Sequence, residues 1–88
     1  MDYSSMKCTF HNKNSESVTV IVEPWAEEIR VPSKNTLEIT VFYREIGPIE
    51  TTIDRSHIAV WLWKGCHALV SLNGRDCTPP SLTIPAPG

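Results

Sequence analysis

Six side chains in this sequence have the chemistry to ligate a metal ion or to form a nucleophile and base pair. They are three cysteines and three histidines: Cys8, Cys66, Cys77, His11, His57 and His67. Thiolate and imidazole are ligands that zinc and copper accept. Their spacing is not that of a compact site, because the chain has no Cys-x-x-Cys and no His-x-His motif. We therefore predict no metal ligand and no cofactor-binding residue.

A metal- or thiol-dependent enzyme is the main alternative, with His57, His67 and Cys66 as its reactive groups. It requires the fold to bring these groups together, although Cys66 and His67 are neighbours that a strand would direct to opposite faces. The sequence contains no Gly-x-Ser-x-Gly, His-Glu-x-x-His or phosphate-loop motif. We predict no catalytic residue and a protein that is not an enzyme.

A disulfide between Cys66 and Cys77 is disfavoured by the register of a predicted hairpin. Asn73-Gly74 is the signal for a two-residue type I′ turn, which pairs residue 72 with 75 and residue 70 with 77. At ~3.3 Å per residue, Cys66 then lies about 13 Å from residue 70 along the strand. A disulfide needs Cα atoms within about 7 Å. We expect free thiols, with Cys8 as a small buried side chain.

Three tryptophans offer flat apolar surface of the kind that anchors partners. Trp61 and Trp63 lie on one face of a predicted strand over residues 58–63, which is apolar on both faces and predicts a central strand covered on both sides. We expect Trp61 to fill the core and Trp25 to pack on its rim.

Partner contact through tryptophan is the functional hypothesis. In this hypothesis Trp25, Trp63 or both are partly exposed and anchor the partner, and Glu23 and Glu28 form a polar rim around them. A carbohydrate-binding module, in which a sugar stacks on a flat tryptophan ring, is a second alternative to the protein-binding hypothesis.

The strands that position these side chains follow from alternating apolar and polar residues. Val, Ile and Thr make up 23 of the 88 residues, and β-branched residues favour pleated sheet. Seven or eight short strands with a turn signal about every 8–12 residues predict one all-β domain, a small antiparallel β-sandwich. An immunoglobulin-like sandwich is preferred, and a small β-barrel is the alternative. The first two strands, 6–10 and 18–22, are expected to form a hairpin.

Domain organisation follows from the prolines near the end of the chain. Residues 1–78 are predicted to form the sandwich domain. Residues 79–88 are predicted to form a proline-rich C-terminal tail, because four of the seven prolines fall between residues 79 and 87. The tail is expected to be mobile or to lie along the domain as an edge strand around residues 82–84.

Charge and hydropathy exclude several classes of protein. Eight basic and ten acidic residues give a net charge of -2, which argues against nucleic acid as the partner. No apolar run approaches the about 20 residues that a membrane helix needs, so we expect no membrane association. The start of the chain lacks the pattern of a secretory signal, and we expect a cytoplasmic protein.

Residues 10–41 contain a Val-Glu-Pro-Trp segment, a proline turn and a Leu-Glu strand. In this pattern the chain resembles small uncharacterised bacterial β-sandwich proteins, and the segment 58–66 resembles their later tryptophan-containing hairpin. The resemblance implies a bacterial source and a small β fold, and it implies no activity and no site residues.

These observations predict a non-enzymatic module of a bacterial cell that binds another protein or associates with itself. The exposed edges of a sandwich provide a second binding mode beside the tryptophans, because strand edges carry unpaired backbone groups. A homo-oligomer formed through such an edge would add buried surface to a small core.

Overall fold

A computed structural model describes residues 2–87, which form eight β-strands, and the main strands alternate apolar and polar residues. The strands and one short 3-10 turn are β1 (Ser4–His11), β2 (Val18–Glu23), β3 (Glu27–Val31), β4 (Thr36–Tyr43), β5 (Glu50–Asp54), β6 (His57–Trp61), β7 (His67–Leu72), β8 (Arg75–Asp76) and η1 (Pro80–Thr83). The predicted all-β class is confirmed. Within residues 2–87 no helix has the length and apolar character required to span a bilayer.

The strands are arranged in two four-stranded sheets, with strand orders β1-β4-β7-β8 and β3-β2-β6-β5. Every pair is antiparallel except β2 and β6, which run in parallel. The prediction of a purely antiparallel sandwich is therefore corrected at this pair. After β2 the chain forms β3, β4 and β5, which are divided between the two sheets. It then forms β6, which lies beside β2 and runs in the same direction.

The expected hairpin between β1 and β2 is wrong. β1 pairs with β4 in one sheet, whereas β2 pairs with β3 and β6 in the other. The polar loop 12–17 crosses between the sheets and is organised by the buried Asn12. Its side-chain amide donates to the carbonyls of Glu16 and Val31, and its Oδ1 accepts the N–H of Asn14. These bonds satisfy a buried amide and cap the end of the sandwich.

The core lies between the inward faces of the two sheets. Alternate residues of β2 and β4 point inward, so that a repeat of two in the sequence becomes one buried face per strand. The fully buried members include Val20, Val22, Leu37, Ile39, Val41 and Val60. Each such side chain contributes about 1.5–3 kcal/mol relative to an exposed one.

The C-terminal segment 79–87 packs along the domain, which is one of the two predicted alternatives. Its form differs from the prediction, because η1 stands where an edge strand was expected. Leu82 is fully buried in the core. Ala86 donates its N–H to the Cys66 carbonyl over 2.7 Å and accepts the N–H of Gly65 over 3.0 Å. The prolines cannot donate ladder hydrogen bonds, which explains a turn in place of a strand.

The predicted hairpin at residues 73–74 is confirmed. Leu72 pairs with Arg75, and the N–H of Cys77 donates to the Val70 carbonyl over 2.9 Å. Asn73 and Gly74 have φ of 50° and 81°, as both central positions of a type I′ turn require. Cys8, Cys66 and Cys77 are free thiols.

The predicted position of β6 is correct in part. β6 is an inner strand between β2 and β5, but only one of its faces is covered, because the sandwich has two layers. The strand ends at Trp61, whose side chain is 46% exposed on the outer face. The expectation that Trp61 fills the core is therefore wrong.

Candidate protein-binding surface

The fold keeps the reactive groups of the enzyme alternative apart. Cys66 is fully buried between the sheets, immediately before β7. His67 lies on the outer face of its sheet, stacked on Phe42 with ring centroids 5.0 Å apart. His57 lies on the outer face of the other sheet, because it alternates with the buried Val60. The two imidazoles are thus on opposite faces of the sandwich, with the thiol between the layers.

The remaining cysteines and histidine do not complete a metal site either. Cys8 faces the interior on β1, Cys77 is exposed beyond β8, and the Nδ1 atom of His11 lies 2.6 Å from the Thr36 hydroxyl. Across residues 2–87 there is no group of three or more His, Cys, Asp or Glu side chains that could hold a metal ion.

The pKa of each of the three thiols is raised, which makes each a weaker nucleophile at neutral pH than an ordinary cysteine. Desolvation raises the pKa of Cys8 and Cys66 above the usual thiol range, and a backbone hydrogen bond at Trp63 only partly offsets this for Cys66. Desolvation also raises the pKa of Cys77, with a further increase from the carboxylate of Asp76. Since the thiolate is the reactive form, a raised pKa lowers reactivity.

Trp25, one of the predicted partner contacts, is half-buried and holds the C-terminal segment. Its indole N–H donates to the carbonyl of Ile84 over 3.1 Å, and its ring packs against the core. In the same region the Ser81 hydroxyl donates to the carboxylate of Glu27. The ring therefore has a structural role on the side of the sandwich that residues 79–87 close.

Trp63, the other predicted contact, is also half-buried and supports the 44–49 loop. Its indole N–H donates to the Glu45 carbonyl over 2.8 Å, and its ring lies 5.5 Å from that of Tyr43. A Cβ atom on Gly47 would lie only 2.5 Å from the Trp63 ring, so the glycine is needed for this contact. Trp63 and Trp25 both use their N–H groups within the chain.

Trp61 occupies the position that best suits a partner contact. It lies in one row with Glu23 on β2 and Glu50 on β5, so that a carboxylate flanks the indole on each side. In the next row Ile21 is level with Ala59, which extends the apolar centre. Glu28 on β3 pairs with Ile21 and is exposed. We call this patch the Trp61 surface and define it by Ile21, Ala59, Trp61, Glu23 and Glu28.

The charge of this sheet face is uneven along the strands. The end that carries Trp61 is acidic, because Glu23, Glu28 and Glu50 all lie there. The opposite end is mixed, because Arg30, His57 and Asp54 share the row of Thr19. The acidic groups therefore surround the exposed ring.

Two of the four predicted contacts, Glu23 and Glu28, thus lie on the Trp61 surface, while Trp25 and Trp63 lie elsewhere. Sequence reasoning missed Trp61, although the signal was present. Val60 and Leu62 alternate with Trp61, and both are buried. If Val60 points inward, then Trp61 must point outward.

A scan against protein-family models, a search of curated proteins and a search of solved structures each found no match to this chain. The resemblance to bacterial β-sandwich proteins stays a prediction.

Proposed function

We propose that this protein is a non-enzymatic binding module that docks the Trp61 surface onto a basic site of another protein. The observation that carries the proposal is Trp61, 46% exposed at the end of an inner strand and flanked in its row by two carboxylates. The bacterial and cytoplasmic setting stays a prediction beside it.

The composition of the patch matches that of a protein interface. Interfaces have an apolar, aromatic centre and a polar rim, and here Ile21, Ala59 and Trp61 form the centre while Glu23 and Glu28 form the rim. Tryptophan anchors are among the residues whose loss weakens binding by about 2 kcal/mol or more. A large indole face on a flat sheet is available without rearrangement of the backbone.

Charge identifies the class of partner. A Lys or Arg side chain over the Trp61 ring gains about 0.5–1 kcal/mol of cation–π energy at an exposed site. The same cation would lie between the carboxylates of Glu23 and Glu50, which occupy the neighbouring strands of the same row. A partner that presents Lys or Arg beside an apolar side chain therefore complements both parts of the surface.

The test compares two variants that remove equally exposed apolar side chains from opposite sheets. Trp61 and Leu69 are each 46% exposed, and Leu69 lies on the outer face of the other sheet. Wild-type protein immobilised on resin captures partners from lysate, and the affinity of each purified partner is then measured for Trp61→Ala and Leu69→Ala. We expect at least tenfold weaker binding for Trp61→Ala, unchanged binding for Leu69→Ala, and weakening by added salt. Equal binding by both variants would contradict the proposal.

A carbohydrate ligand is the second candidate, and the same ring favours it. The flat face of Trp61 suits stacking with a sugar, and the carboxylates of Glu23 and Glu50 are acceptors for its hydroxyl groups. Titration with a panel of soluble glycans, followed by tryptophan fluorescence in wild type and Trp61→Ala, separates the two candidates. A saturable change that the variant lacks would identify a sugar-binding module.

A further inference from the structure

The two sides of the sandwich differ in whether a further segment of the chain covers the space between the sheets. On one side, Leu82 fills the core and the segment 79–87 joins the β3 region to β7, through the bond from Trp25 to Ile84 and the packing of η1 on β7. On the other side, β1 is the first strand of one sheet and β5 is the last strand of the other. Both present a strand edge.

These two edges are offset. Phe10 of β1 lines a cleft of about 230 Å³ between the sheets together with Val20 of β2, Val31 of β3 and Ile58 of β6, so this end of β1 lies over the strands inward of β5. β5 lies one strand farther out and is exposed on both faces along its whole length. Ile53, on the face of β5 that continues the core face, is 75% exposed, whereas Val60 on β6 is fully buried. We call this offset the β1/β5 step.

We propose that two copies of the chain associate through the β1/β5 step, with β5 of each copy adding to the free edge of β1 in the other. A two-fold axis parallel to the strands exchanges the two layers of the sandwich. The β5 strand of the second copy then pairs with β1 of the first copy and extends its sheet. By the same symmetry, β5 of the first copy pairs with β1 of the second. The step is self-complementary, as a two-fold interface must be.

The strand directions allow this pairing. β4 runs antiparallel to β1, and the chain turns back through residues 44–49 to enter β5 in the other layer. β5 therefore runs in the same direction as β1. An axis along the strands preserves direction, so the new pair is parallel, like β2 and β6 within the chain. The exposed Ile53 of each copy then faces the sheet of the second copy.

Charge complementarity between β1 and β5 favours a second copy of the chain as the partner at the β1/β5 step. The outer face of β1 carries Lys7 and His11, four residues apart, and the outer face of β5 carries Glu50 and Asp54, also four residues apart. Phe10 lines a cleft with Ile58, and Ile53 pairs with Ile58, which brings the corresponding ends of β1 and β5 to the same end of the sandwich. His11 therefore lies at the Asp54 end of β5, and Lys7 lies toward the Glu50 end.

In the dimer each ladder between β1 and β5 places Lys7 near Glu50 of the second copy, an opposite-charge pair on adjacent strands, which favours pairing. Lys7 already lies 3.4 Å from Glu38 on its other side, and Glu50 of the second copy would provide a carboxylate on the open side. The inference goes beyond the proposed function, because it concerns the strand edges; the two share Glu50, and the dimer leaves Trp61 exposed.

The experiment measures self-association by sedimentation equilibrium over a range of concentrations, with a matched pair of variants. Ile53 and Ile46 are 75% and 76% exposed, and Ile46 lies in the 44–49 loop, outside the paired strands. We expect wild type and Ile46→Glu to dimerise and Ile53→Glu to dimerise at least tenfold more weakly. Circular dichroism checks that both variants keep their strands, as their exposure predicts.

A charge exchange tests the register directly. Lys7→Glu alone should weaken the dimer, and Lys7→Glu combined with Glu50→Lys should restore it. A wild-type chain that stays monomeric, a dimer that survives Ile53→Glu, or a double variant that is no better than Lys7→Glu would each overturn the proposal. Trp61→Ala should leave the dimer intact, so loss of partner binding in that variant is separable from loss of the dimer.

Discussion

Leu82→Ala is expected to destabilise the whole domain, although residue 82 lies in the proline-rich segment near the end of the chain. Leu82 is fully buried and packs with the core of both sheets. Truncation of a buried leucine to alanine costs about 2–5 kcal/mol. Since a domain of this kind has about 5–15 kcal/mol of total stability, the variant should lose a large fraction of it.

The measurement is the free energy of unfolding in urea, followed by circular dichroism, with the thermal midpoint as a second readout. For a domain of this size each kcal/mol lowers the midpoint by about 4–8 °C. The control is Ile84→Ala in the same segment, because Ile84 is 64% exposed and its truncation should cost about 0.5 kcal/mol or less. Equal stability of Leu82→Ala and Ile84→Ala would refute the packing of this segment into the core and would favour a domain that ends at residue 78.

Three further predictions concern the Trp63 loop and the thiols. Gly47→Ala should cost about 1–3 kcal/mol by overpacking against Trp63, measured in urea. The cost should disappear in a Trp63→Leu background, and an equal cost there would contradict the steric reason. The exposed Cys77 should be alkylated first in the native state and the buried Cys66 only on unfolding, as mass spectrometry can follow. Because burial raises the folded pKa of Cys66, the unfolded thiol ionises first, and stability should fall as pH rises above about 8.5. A Cys66→Ala variant should lack that contribution.

The Trp61 surface and the β1/β5 step are compatible with one another. The two-fold axis exchanges the layers of the sandwich, so the sheet that carries Trp61 lies on opposite faces of the dimer in the two copies. Each face then presents one Trp61 surface. A dimer of this kind would bind two partners, one on each side, which increases avidity for a partner that is itself repeated.

Local patterns were sufficient for the elements and for some of the surface. Val18, Val20 and Val22 alternate with polar or exposed positions, and β2 forms over the predicted residues with these three buried. Asn73 and Gly74 supply the two positive φ values of the turn. These outcomes depend on residues that are adjacent along the chain, and the sequence contains that information directly.

The surface was predicted only in part, for a related reason. Glu23 and Glu28 reach the Trp61 surface because strand alternation places them outward. Trp61 and its neighbours Val60 and Leu62 form an apolar run, and alternation divides such a run into two faces without indicating which face is inward. The parallel pairing of β6 with β2 makes that choice, since it aligns Val60 with the buried Val22.

By itself, the sequence determined that the chain is all-β, which segments form the main strands, and where the Asn73-Gly74 turn falls. Only the tertiary structure decided that β1 pairs with β4 and not with β2, that Leu82 completes the core, and that Trp61 faces outward. The physical reason is the range of the interactions. Strand and turn preferences act between neighbouring residues, whereas strand partners and the inward face are selected by contacts between residues that lie far apart along the chain.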